Sequence, residues 1–201
     1  MDPLNAVSEL PLGELFETLL PDFVLAFAFV TALVYAILAR RFDQQRPAPR
    51  EGGMFKASWF PVVDAAPMEG QVVRRWDLAA TADGGDWTVG LKMRMTPSGF
   101  YIEDVIRDQL SPNGMHAAVT STAGQDGKAV RILLPQDPGQ AGKDQAQSFV
   151  RELAGYTCKS APETGSKEVR AMPFASQAEA GNVRLVRGRW NSDFLDELCV
   201  F

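Results

Sequence analysis

Between Thr88 and Met95 the chain alternates without a break. Val89, Leu91, Met93 and Met95 point one way, and Gly90, Lys92 and Arg94 point the other. Successive side chains of an extended backbone face opposite sides, so this pattern predicts a strand with one buried face. Turn-forming clusters bound it: Gly84-Gly85 before, Pro97-Ser98-Gly99 after. A short strand opening at Val72 and ending near Asp77 precedes it, and a strand over Phe100 to Ile106 comes next. The second and third of these strands are expected to form a hairpin.

The later elements are read the same way. Ser111 to Gly124 is weakly helical, and Ala129 to Leu134 is a fourth strand. Its run of Val130, Ile132, Leu133 and Leu134 suits burial on both faces. Lys143 to Leu153 carries Ala146, Phe149, Val150 and Leu153 at helical spacing, with Gly155 placed as its C-terminal cap. The 159–168 stretch, KSAPETGSKE, reads as a flexible loop. Val183 to Val186 is a short strand, and Asn191 to Cys199 a last helix capped by Asn191 or Ser192. This order predicts an α/β fold, a mixed sheet flanked by helices. It is the order of the ribonuclease H-like fold, and order alone leaves other α/β folds open.

The N-terminal quarter differs in kind. The first 22 residues hold five acids and no base. An uncharged run from Phe23 to Ala39 comes next, closed by Arg40 and Arg41. Seventeen helical residues span roughly 25 Å, the short end of a membrane crossing. The basic pair predicts that the chain beyond residue 41 faces the cytoplasm, anchored to the inner membrane with the N-terminus outside. A buried core helix or an apolar segment out of context is the alternative. Residues 42–53, FDQQRPAPREGG, read as a linker, which leaves 54–201 as a separate domain. The net charge of −5 does not favour a nucleic-acid partner in bulk, so any such contact needs a local basic patch.

Two aspartates carry the chemical argument. Asp77 ends the first strand and Asp137 comes after the fourth. If those strands are neighbours, both carboxylates meet at one sheet edge. Their mutual repulsion is relieved by a hard divalent cation, which prefers oxygen ligands. Two such ions can activate water and stabilise the leaving oxygen of a phosphodiester. Asp86 is placed to support the site from the connection between the first two strands. An Asp after a strand also serves as a turn or capping residue, and spacing leaves both readings open.

The stretches QQRPAPREGGMFKASWF, RRWDLAAT, GGDWTVG, YIEDVIRDQLSP, LLPQDPGQAGK, KEVRAMPFASQAEAGNVRLVRGRW and FLDEL occur in that order. With them, residues 42–201 resemble the C-terminal nuclease part of a phage terminase large subunit. The resemblance implies a two-metal endonuclease that cuts concatemeric double-stranded DNA during packaging, using Mg2+ or Mn2+. It implies a portal protein and a small terminase subunit as partners. Asp77 and Asp137 match its metal ligands, and Asp86 a commonly acidic position. The family's ATPase motif has no match here: GQAGKD at 139–144 lacks the spacing and the Ser/Thr of a phosphate-binding loop. The family's third acidic cluster comes after the FLDEL helix, and the sequence ends at Phe201. The expectation is therefore weak or absent cleavage by this chain alone. Two other readings stand beside it: a single-pass membrane protein with a vestigial binding module, or a fusion reading frame without selected function.

Other residues are assigned more plainly. Arg74, Arg75, Arg184, Arg187 and Arg189 are candidates for a basic strip contacting DNA phosphates, or are ordinary surface arginines. Asp193, Asp196 and Glu197 read as solvated helix charge. His116 is the sole histidine and reads as a surface residue. Cys158 and Cys199 read as reduced core thiols, and the four tryptophans as packing groups.

Overall fold

The computed structural model describes residues 53–79, 87–136, 139–162 and 166–200. The apolar run 23–39, most of the linker, Asp86 and Asp137 lie outside them. Among the described residues no helix is long and apolar enough to cross a membrane.

The sheet contains β1 (Val62–Val63), β2 (Gln71–Asp77), β3 (Thr88–Thr96), β4 (Gly99–Asp108), β5 (Arg131–Gln136), β6 (Cys158–Pro162) and β7 (Val183–Val186). The helices are α1 (Pro112–Asp126), α2 (Gln140–Glu152), α3 (Lys167–Glu179) and α4 (Asn191–Leu198). The strand order is β1-β7-β4-β3-β2-β5-β6. Of these strands only β3 runs against its neighbours, because β1, β4, β5, β6 and β7 pair in parallel where they meet each other or β2. The sheet is mixed, with helices on both faces, as the element order predicts.

The alternation in β3 sorts these faces. Val89, Leu91, Met93 and Met95 are all buried on one side, in a core with Phe100, Ile102, Val183 and Leu185. Ala171, Phe174 and Ala178 of α3 and Phe194 and Leu198 of α4 cover it. Phe55 and Phe60 close it from the segment before β1. The opposite core gathers Trp76, Ile132 and Leu134 under Met115, Val119 and Ala123 of α1, Phe149 of α2 and Leu153 at its C-terminal cap. Gly90 is required on that side. It pairs with Trp76 across the strands, and a Cβ there would stand 2.7 Å from the indole ring.

Arg74 and Arg75 lie on the interior strand β2 and are buried, not on the surface as a basic strip requires. Arg74 donates to both carboxylate oxygens of Asp126 at 2.8 and 3.1 Å, to Asp104 at 2.9 Å and to the carbonyl of Gly90. Lys92 adds a second cation to Asp126 at 3.1 Å. Burial alone would raise the Asp126 carboxyl, but the bonds and charges of Arg74 and Lys92 outweigh it and hold it low.

Several boundaries differ from the sequence reading. The fourth strand starts at Arg131, because Gly127 adopts φ +80° and Val130 closes a turn back onto it. The helix expected from Lys143 starts at Gln140 and ends with Leu153 as its cap, while Gly155 takes φ +92° two residues later. The expected loop 159–168 contains a strand: β6 pairs with β5 along its length. Its polar sequence carries no alternation to mark it. Nor does local sequence mark α3, where Pro173 sits inside the helix. Its Ser166 cap accepts from the Val169 N–H, and its buried stripe holds the helix despite the missing donor. In the last helix Trp190 is the cap position, while Asn191 bonds the backbone of Gly188 and Val186 instead.

Both buried contacts of this face can be tested by denaturation. Asp126→Ala leaves Arg74 with a deficit of charge in a buried place, and chemical denaturation should show a loss of about 3 kcal/mol. Because the Asp126 carboxyl is depressed, its contribution is present above the unfolded value near 3.8 and lost as pH falls below it. Gly90→Ala should cost about 1–3 kcal/mol by overpacking against Trp76, read from the same curves.

Candidate functional site

β2 and β5 are adjacent and parallel, with Val73 opposite Arg131, Arg74 opposite Ile132 and Arg75 opposite Leu133. Their C-terminal ends therefore lie at one edge of the sheet. Asp77 is the last residue of β2 and is half-buried. β5 ends at Gln136, and the next residue in sequence, Asp137, lies outside the described residues, as does Asp86. Thr88 ties the two sides of the β2–β3 connection, donating its hydroxyl to the Ala79 carbonyl at 2.6 Å and accepting from the Ala79 N–H.

Asp77 pairs across the strands with Val89, and Val89 with Arg107 of β4. Directly paired residues share a face, so Asp77 and Arg107 lie on the same side of the sheet in one row. The Arg107 guanidinium stacks on the Trp87 ring, 3.9 Å from its centroid, and contacts the Glu197 carboxylate of α4. Glu197 is thus buried, against the expectation of solvated helix charge. The signal for this was its phase: Glu197 falls three residues after Phe194, on the stripe that faces the core. Burial pushes its carboxyl up to about 7, against the pull of Arg107 and with a further push from Asp193.

The remaining candidates separate. Arg184 bonds the Ser98 carbonyl and lies over Tyr101, Arg187 pairs with Asp64 on the surface, and Arg189 is exposed. With Arg74 and Arg75 buried, these five do not form one strip. His116 sits at the surface, stacked on Phe149 and bonded to Glu152. Both cysteines are free, and burial pushes the Cys158 thiol up to about 11, away from reactivity. Trp76 is buried, and Trp59, Trp87 and Trp190 pack against the first core. Among the described residues no three acids, histidines or cysteines gather as a metal site.

Glu197 generates a pH prediction. A carboxyl raised on folding favours the folded state most below its unfolded value near 4.5. That advantage is lost as pH rises to about 7 and is absent above it. Thermal midpoints should fall by several degrees across this window, and Glu197→Gln should flatten the slope.

Comparison with known proteins agrees with this topology. A family model described as the terminase RNaseH-like domain matches residues 74–201. Among curated protein sequences none matches. The large terminase nuclease of thermophilic phage G20c with bound zinc is similar at a TM-score of 0.53 and 14% identity, over 74% of this chain and 87% of that one. The P22 large terminase nuclease domain is similar at 0.53 and 11%, over 74% and 90%. The G20c nuclease with bound magnesium is similar at 0.51 and 13%, over 76% and 97%. The chain spans 32% of the length of a whole large terminase from a thermophilic bacteriophage. With a match across more than half its residues, and a mixed sheet of the same fold, this chain belongs to the family of terminase RNase H-like domains.

Proposed function

We propose that residues 54–201 form a metal-dependent DNA endonuclease domain of the kind that terminase large subunits use in packaging. The observation that carries this reading is the parallel adjacency of β2 and β5, with Asp77 closing one strand. Continuing that register puts positions 77 and 135 side by side. In this reading Asp137, two positions on, shares the face of Asp77 at the same edge, and Asp86 approaches from the β2–β3 connection.

The donor chemistry fits Mg2+ or Mn2+. Carboxylate oxygens are hard ligands, and Asp77 is only half-buried, so it can reach an ion that keeps waters for the substrate to displace. The G20c nuclease binds magnesium and zinc in its own structures, which supports a divalent ion here. Bound ions supply Lewis acidity and an activated water for phosphodiester hydrolysis. Asp77 and Asp137 would hold them and orient them toward the scissile phosphate. Double-stranded DNA is the proposed substrate, and portal and small terminase subunits are the proposed partners of the assembly.

Calorimetric titration of the full chain with Mn2+, beside nicking of supercoiled plasmid, tests the reading. Parent protein should bind Mn2+ and nick the plasmid. Asp77→Asn and Asp137→Asn should each lower both by on the order of tenfold or more. Parental binding and nicking in these variants would refute the assignment.

A further inference from the structure

Helix α2 holds two acids and two bases, and the fold parts them. Gln140 donates to Asp144, and Ser148 to Glu152, each across one helical turn. Glu152 also holds His116 of α1, so the acids belong to a stripe that meets α1. Lys143 and Arg151 fall on another stripe, with Gln147 midway between them. All three line an open groove of about 460 Å³ between α2 and the edge strand β6. Gln136 of β5, Val150 and Ser160 line it as well. Among the described residues no carboxylate pairs with Lys143 or Arg151.

Helix stability accounts for only one of these cations. Arg151 in the last turn suits the helix dipole, whereas Lys143 in the first turn opposes it, and no acid in that turn offsets it. A ligand accounts for both. Steps of four residues set the three polar groups about 6 Å apart, over about 12 Å in all. A DNA strand presents several phosphates over that length, at about 3.4 Å of rise each. Lysine, arginine and glutamine all donate to phosphate oxygens. Val150, 43% exposed, gives the groove an apolar wall for the sugars. Position agrees. Gln136 ends β5, the parallel neighbour of the strand that ends in Asp77. α2 begins at Gln140, so the stripe starts at that edge of the sheet and leads away from it.

We propose that the groove between α2 and β6 is a track for the phosphate backbone of DNA, contacted by Lys143, Gln147 and Arg151. This rests on the nuclease reading above. It supplies the local basic patch that a net charge of −5 requires and that the five candidate arginines do not form.

Anisotropy of a short fluorescent DNA duplex titrated with the full chain, without divalent metal and between about 50 and 200 mM salt, tests the track. Lys143→Gln with Arg151→Gln should weaken binding about tenfold or more at the lower salt. The slope of log affinity against log salt should become shallower by about two, while the thermal midpoint does not fall. Lys56→Gln with Arg187→Gln removes as much charge at the β1 end of the sheet and should leave affinity within about twofold of the parent. Where the groove variant does not fold, Lys143→Gln alone carries the test through a slope shallower by about one. Parental affinity and slope in the groove variants, or an equal loss in the Lys56 and Arg187 control, overturn the proposal and leave the Asp77 assignment standing. A parent chain that does not bind the duplex overturns it too. A parent chain that binds the duplex through the groove but neither binds Mn2+ nor nicks plasmid overturns the nuclease reading instead.

Discussion

A guanidinium buried in an interior strand of a sheet must have its charge and donors answered inside the protein. Arg74 meets that condition through Asp126 at the end of α1, Asp104 on β4 and the Gly90 carbonyl on β3. One buried side chain therefore ties β2 to β3, β4 and α1. The pleat puts Trp76 on the same face two residues later, lying over Gly90 in the second core. β2 is thereby held in register from both sides, antiparallel to β3 and parallel to β5. The place of Asp77 at the end of β2 is a consequence of that register.

The two faces of the sheet divide the labour. The α1–α2 side is a conventional core closed by a charge network. On the other side lie the Asp77–Val89–Arg107 row and, packed over β4, helix α4. Where the first side answers Arg74 with two carboxylates, the second pairs Arg107 with Glu197.

Much of the fold was legible along the chain. The strict alternation of β3, the hairpin turn at Pro97-Ser98 and the apolar run of β5 each announce themselves, because their burial depends on local periodicity. β6 and α3 did not. β6 is a polar edge strand that exists because β5 offers it a parallel partner. The helix α3 contains a proline, and its stripe of Ala171, Phe174 and Ala178 gains meaning only against Phe55 and Phe60. Arg74, Arg75 and Glu197 looked like surface charge for a related reason: partners at a distance of 30 to 90 residues leave no local trace.

What the sequence determined by itself is the set of elements with regular hydrophobic spacing and the two acids placed after strands, since both are properties of short segments. What the tertiary structure decided is adjacency: that β2 and β5 run side by side in parallel, and that Arg107 shares a row with Asp77 while Glu197 reaches it from the far end of the chain. Pairing of distant strands is set by which faces can be buried together, and that is a property of the whole packed chain.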